Sequence, residues 1–142
     1  MRILVSLIIL FLIISCSTSK VIADKERPLY EILVCKSEGG AKIKFFEIIS
    51  EPQEFIMIKN DPELKGKIET DAISKANFLI LSLGEKPTGG YFMEIEKVEE
   101  NVKNIIITIK EIIPDSKAMV SQAFTTPYCL VRINSKKEII IK

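Results

Sequence analysis

Residues 77–83 read NFLILSL, and this nearly continuous apolar run is the most informative stretch for the fold class. A short strand with apolar residues on both sides is typical of a position covered on both faces of a sheet. Glycine and proline follow at once in residues 84–90, GEKPTGG, so the strand is predicted to end there. The sequence therefore predicts a buried strand around which the other elements are arranged.

Further strands are predicted on both sides of this run. Residues 30–35 and 43–49 flank the turn-forming sequence SEGG, and we predict that they pair as a hairpin. Residues 91–98 alternate apolar and polar side chains, which is strand periodicity with one wetter face. The remaining predicted strands are 105–113, 119–124, 128–133 and 138–141.

One helical segment interrupts the series of strands. Ser50 suits an N-cap and Pro52 suits a first helical turn, and apolar residues follow before a break near Pro62. Short strands at intervals of about 8–12 residues are typical of all-β sandwiches and barrels. We predict a mainly β chain, an antiparallel β-sandwich or open barrel with one short helical segment in the first half. An α+β fold is the alternative.

The N-terminus has the composition of a bacterial lipoprotein signal peptide. Arg2 precedes an uncharged run that ends at Ile14, shorter than the roughly 20 residues that cross a bilayer. Residues 13–16, IISC, resemble the lipobox, in which lipid is attached to the cysteine after cleavage before it. An ordinary secretory signal and an uncleaved N-terminal anchor are the alternatives. The predicted organisation is a signal peptide at 1–15, lipid attachment at Cys16, a tether at 16–28 and a single β-rich domain at 29–142.

This anchor predicts a location. Two or more acyl chains hold a protein stably on a membrane, whereas one binds only marginally. We therefore expect a membrane-anchored lipoprotein of the bacterial cell envelope that faces outside the cytoplasm. Because Ser17 follows the cysteine, resemblance to sorted lipoproteins favours the outer membrane if the host is diderm.

Composition argues against several function classes. The chain has no histidine, which removes the commonest general base and the imidazole ligands of zinc. Lys and Arg number 20 against 19 acidic residues, so there is no electrostatic footprint for nucleic acid. We expect no enzyme activity, no catalytic residues, no metal site and no cofactor.

Two cysteines remain once Cys16 is assigned to the anchor. Cys35 and Cys129 each lie in an apolar run. In an oxidising compartment two leftover cysteines often pair, but each also suits a small buried apolar position. The sequence leaves two alternatives for Cys35 and Cys129, a disulfide or two separate buried thiols.

The order of features from Phe78 onward resembles one family. A hydrophobic strand leads into GEKPTGGY at 84–91, further strands follow, and Pro127 and Tyr128 then open the strand that leads to Val131. This looks like the PrcB C-terminal domain family of bacterial lipoproteins associated with a surface protease complex, over roughly residues 75–133. The resemblance implies a non-catalytic role in which the chain supports assembly or stability of a protein complex.

The glycine loop is the candidate interaction site, and three interpretations are open for it. Gly89 and Gly90 suit a strand-to-strand turn, and exposed residues beside them suit a loop that recognises a partner. The string PTGGY at 87–91 is also similar to a loop of chagasin-type protease inhibitors. The candidate interaction residues are Pro87, Thr88, Gly89, Gly90, Tyr91, Pro127 and Tyr128.

Together these features predict a lipid-anchored binding module with two kinds of partner. One is the membrane, reached through the lipidated N-terminus, and the other is a protein that the family resemblance suggests is a surface protease. A protease inhibitor acting through residues 87–91 and a purely structural envelope lipoprotein are the alternatives.

Overall fold

A computed structural model describes residues 27–142, which form two β-sheets and a small helical layer. The predicted signal peptide and Cys16 lie outside the described residues. The helical layer consists of helix α1 (Pro52–Lys59) and two single 3₁₀ turns, Pro62–Leu64 and Ala72–Ser74. The strands are β1 (Tyr30–Lys36), β2 (Lys44–Ile49), β3 (Asn77–Leu83), β4 (Phe92–Glu100), β5 (Asn104–Ile112), β6 (Tyr128–Ile133) and β7 (Glu138–Ile141).

The two sheets pack as a sandwich. One has the strand order β1-β6-β3-β2, and the other has the order β4-β5-β7. This confirms the mainly β, sandwich-like prediction with its one helix in the first half, and within residues 27–142 neither sheet closes into a barrel.

The last strand departs from the predicted antiparallel arrangement, because β7 pairs with β5 in parallel. Its register places Glu138 opposite Asn104, the first residue of β5. The short turn after β6 therefore delivers the chain to the end of the other sheet at which β5 begins. Since β7 starts there, it can only run in the same direction as β5.

The stretch 77–83 forms β3, and the prediction that both of its faces are buried is confirmed. Leu79 and Leu81 belong to an apolar cluster between the two sheets. Phe78 points to the opposite face and packs among residues of the helical layer, with its ring centroid 4.9 Å from that of Phe55. The strand is apolar on both sides because it separates two cores.

Two local predictions are wrong. The first two strands do not form a hairpin, because β1 pairs with β6 and β2 pairs with β3, at opposite edges of one sheet. Residues 119–124 do not form a strand, and Met119 and Phe124 are exposed. In both cases a local apolar pattern was present, but strand pairing depends on contacts that are distant in the sequence.

An irregularity in β1 decides where Cys35 points. Ile32 lies opposite Val131, but Val34 lies opposite Leu130, so one extra residue is inserted between them. Successive side chains of a strand point to opposite faces, and an inserted residue reverses that order for everything after it. The bulge therefore places Cys35 on the same face as Cys129, its register partner.

A partly buried ion pair stabilises the other face of β6. Arg132 has a side chain only 5% exposed, and its Nη1 lies 2.6 Å from Oε2 of Glu69. The hydrogen bond from Arg132 holds the pKa of Glu69 at about 2, well below its ordinary value of 4.5. The native state therefore favours the charged form of this carboxylate.

Replacement of Glu69 by Gln is expected to lower the free energy of unfolding by about 1 kcal/mol at neutral pH, because Arg132 loses its charged partner. The native pKa is depressed, so the stabilisation is complete above pH 4.5 and is lost as the pH falls towards 2. Urea unfolding of the wild-type protein and of Glu69→Gln, at pH 7 and near pH 2.5, measures this difference in stability. Glu47→Gln, at an exposed position of β2, is the control; a Glu69→Gln deficit that persists undiminished at the low pH contradicts this assignment.

Candidate functional site

A largely apolar groove of about 280 Å³ lies at one end of the sandwich, between β1 of one sheet and β4 of the other. We call it the edge groove. Each of these strands is one of the two outer strands of its sheet, so each has one side without a neighbouring strand. Its lining includes Cys35, Tyr91, Phe92, Met93, Pro127 and Cys129.

The wall of the edge groove on the β1 side is held to the start of β6. The backbone N–H of Thr126 donates to the carbonyl of Ser37 at 3.0 Å, and that of Gly40 donates to the carbonyl of Thr126 at 2.9 Å. A Cβ on Gly40 would lie 2.7 Å from the Thr126 carbonyl oxygen, so no side chain fits at this contact. The close approach of two backbones thus explains the glycine at position 40.

The disulfide between Cys35 and Cys129 forms part of the lining. The two Cα atoms are 4.1 Å apart, and the residues face each other across β1 and β6. Of the two arrangements left open by the sequence, the structure contains the bonded one. The bond fastens the outer strand β1 to its neighbour β6 where the edge groove opens.

The glycine loop crosses from β3 in one sheet to β4 in the other, so it is a connection between layers rather than a hairpin turn. It rests on the connection between β5 and β6. The N–H of Gly89 donates to the Ser121 carbonyl at 2.9 Å, and the Thr125 hydroxyl donates to the Thr88 carbonyl at 2.9 Å. These contacts fix the loop against the body of the protein.

Three charged residues form an ion-pair network beside the glycine loop: Lys44, Lys86 and Glu111. Oε1 of Glu111, on β5, lies 2.5 Å from Nζ of Lys86, and Oε2 of the same carboxylate lies 2.9 Å from Nζ of Lys44. Hydrogen bonds from Lys86 and then Lys44 hold the pKa of Glu111 below its usual value. The Lys86 ammonium also lies 5.4 Å from the centre of the Tyr91 ring, a cation–π distance. The network joins both sheets to the aromatic residue at the edge groove.

The predicted interaction residues do not all face the same way. Tyr91 packs against the apolar cluster between the sheets, whereas Tyr128 lies opposite Lys36 on the helix-facing side of its sheet. Burial raises the pKa of Tyr128, so its hydroxyl stays protonated. Pro127 lines the edge groove but its side chain is buried, while Pro87 is exposed at the loop.

Sequence reasoning missed several residues of this site. Phe92 is 52% exposed and lines the edge groove. In the sequence it is only one position of an alternating strand, so nothing marked it as a binding residue. Lys86 and Glu111 each carry an unremarkable charge in the sequence, and no local pattern shows that they meet. Such an ion pair can be recognised only once the strand pairing, and therefore the distance between the two charged residues, is known.

Residues 78–134 match a family model, the PrcB C-terminal family. The predicted resemblance is confirmed over this segment. The matched segment spans less than half of the chain and contains β3 from Phe78 onward together with β4, β5 and β6, so it contributes to both sheets. Comparison with curated proteins and with solved structures finds no match to the chain.

The edge groove is built only partly from the matched segment, residues 78–134. Tyr91, Phe92, Met93 and Cys129 lie inside it, whereas Cys35 comes from β1, outside the matched residues. The N-terminal strand thus completes a groove that the matched segment begins.

Two further observations concern the described part of the chain. None of its helices is long and apolar enough to cross a membrane. Within residues 27–142, no group of three or more His, Cys, Asp or Glu side chains is placed to hold a metal ion.

The tightness of the glycine loop gives a prediction at Gly90. This residue has φ +86°, and a Cβ there would lie 2.9 Å from Cβ of Pro114 and 2.9 Å from Cγ1 of Val120. Gly90→Ala is expected to lower the free energy of unfolding by about 2–3 kcal/mol, from backbone strain and this clash together.

Gly66→Ala is the matched control. Gly66 has φ +82°, but no atom lies within 4 Å of its added Cβ, so only the backbone cost of about 1 kcal/mol is expected. Chemical denaturation of the two variants isolates the contact between the loop and the connection before β6. Equal losses in both would mean that the loop is not braced in this way.

Proposed function

We propose that this chain is a lipid-anchored binding module of the bacterial cell envelope that supports assembly or stability of a surface protein complex. The observation that carries the proposal is the edge groove, an apolar channel bordered by two outer strands. Unpaired strand edges and an adjoining apolar groove are what an extended segment of a partner protein uses to bind. The PrcB-like character of the segment supports the complex-forming role.

The outer edge of β4 specifies the chemistry of the partner segment. Along the first part of β4, Met93 and Ile95 point into the sandwich while Glu94 between them is exposed, and a bulge at Glu96 ends this regular alternation. A segment that adds to this edge would alternate in the same way. We therefore propose an extended partner segment with apolar side chains facing the groove and Lys or Arg facing outward.

The proposed anchor reduces the affinity that this contact must supply. A partner confined to the same membrane meets the module at a high effective concentration, so a small groove and a few backbone hydrogen bonds suffice. Cys16→Ala should release the protein from the membrane or mislocalise it. Membrane association that survives this substitution and alkaline washing would show that the lipid is not the anchor.

A crosslinking pulldown from intact membranes of the native host tests the binding role. We expect one specific partner, such as a surface protease, to be enriched with the wild-type protein and reduced several-fold with Glu94→Lys. Glu47→Lys makes the same charge change on an exposed position of β2 and should leave the yield unaltered. Recovery of bulk envelope proteins alone would overturn the proposal.

A further inference from the structure

The two halves of the Cys35–Cys129 disulfide differ in accessibility. Cys129 is 4% exposed in the apolar cluster between the sheets. Cys35 is exposed on β1, which has no neighbouring strand on its outer side. Attack on a disulfide depends on access to one sulfur along the S–S axis and on departure of the other. Of the two disulfide-bonded residues, Cys35 is therefore the more accessible from solution.

We propose that Cys35 is a site of reversible thiol–disulfide exchange with low-molecular-weight thiols. The attacking thiolate sulfur forms a bond to Sγ of Cys35, and the bond from Cys35 to Cys129 breaks. Its electron pair goes to Sγ of Cys129, which leaves as a thiolate and takes a proton from water. One disulfide is exchanged for another, so no further oxidant or reductant is required.

The surroundings of Cys129 make the exchange reversible. Leu81 and Val131 lie in the same apolar cluster, and their packing leaves the freed Cys129 side chain little room to move away. The protein also keeps Cys129 close to the mixed disulfide, because β1 and β6 remain paired through their backbones. Once deprotonated, Cys129 can attack Cys35 and expel the added thiol. The modified form accumulates only while external thiol is present.

The modification would change the edge groove itself. Both cysteines line it, so a thiol joined to Cys35 lies at the groove wall. This inference concerns the reactivity of the disulfide and stands independently of the proposed partner binding.

The test uses the oxidised full chain carrying Cys16→Ala, so that only two cysteines are present. It is treated with limiting glutathione, quenched with iodoacetamide and mapped by mass spectrometry. We expect glutathione on Cys35 and the alkyl group on Cys129, in at least roughly tenfold excess over the opposite pattern. Equal labelling, adducts mainly on Cys129, or no adduct at all would overturn the proposal.

A second comparison uses the free thiols. In the same background, Cys129→Ala leaves Cys35 free and Cys35→Ala leaves Cys129 free, and both variants lack the disulfide. Native Cys35 should react with an aromatic disulfide reagent at least about ten times faster than native Cys129. Similar rates under native conditions contradict the proposed asymmetry. If either variant fails to fold, the mapping of the oxidised chain alone decides the question.

Discussion

Reduction of the Cys35–Cys129 disulfide is expected to lower the free energy of unfolding by about 4 kcal/mol. The two cysteines are 94 residues apart, so the bond closes a loop that contains most of the described chain. A cross-link of this span removes much of the conformational entropy of the unfolded state. Both oxidation states contain the same side chains, which separates the cross-link from any change in packing.

Urea unfolding of the Cys16→Ala protein with and without reductant measures this difference. The matched control carries Cys35→Ala and Cys129→Ala as well, and reductant should leave its unfolding midpoint unchanged. A difference below about 1 kcal/mol between the oxidised and reduced forms would show that the bond contributes little to the fold.

Replacement of Phe78 by Ala should cost about 3–4 kcal/mol of stability, because the side chain is fully buried. Its ring packs against Phe55 of α1, on the face of the sheet that the helical layer covers. Loss of the ring leaves a cavity between that layer and β3. The experiment therefore reports whether the helical segment belongs to the core.

Phe46→Ala is the control for this prediction. Phe46 lies on β2, the neighbour of β3, and is 36% exposed, so its removal should cost only about 1 kcal/mol. Both variants are compared by urea unfolding. Equal small losses would indicate that the face of β3 carrying Phe78 is open to solvent.

The strands themselves were largely predictable from local sequence. The run at 77–83 and the run at 128–133 form β3 and β6 with the predicted bounds, because each is apolar enough to be buried on both faces. The alternation along β4 also held at Met93 and Ile95. These patterns depend on which side chains of a strand are buried, and the order of apolar and polar residues in the sequence shows this directly.

The pairing of the strands was not predictable in the same way. A hairpin between β1 and β2 satisfied every local rule, yet β6 and β3 lie between these strands in the sheet. The bulge that turns Cys35 towards Cys129 also leaves no sequence signal. Both outcomes depend on which contacts give the lowest free energy for the whole domain.

The candidate site was predicted in part. The glycine loop emerged from its composition, and the positive φ of Gly90 together with the close approach at Gly89 gives the physical reason for both residues. The wall contributed by β1 and the support from Glu111 did not emerge. Each of them is brought to the loop from a distant part of the chain.

The central claim is that a protein partner occupies the edge groove. A photo-crosslinking amino acid placed at Phe92, which lines the groove, tests it in intact cells of the native host. The control carries the same residue at Ile56 on α1, where the side chain is 55% exposed, close to the 52% of Phe92. We predict a discrete crosslinked band from position 92 and none from position 56. No band from position 92, or the same products from both, would contradict the claim.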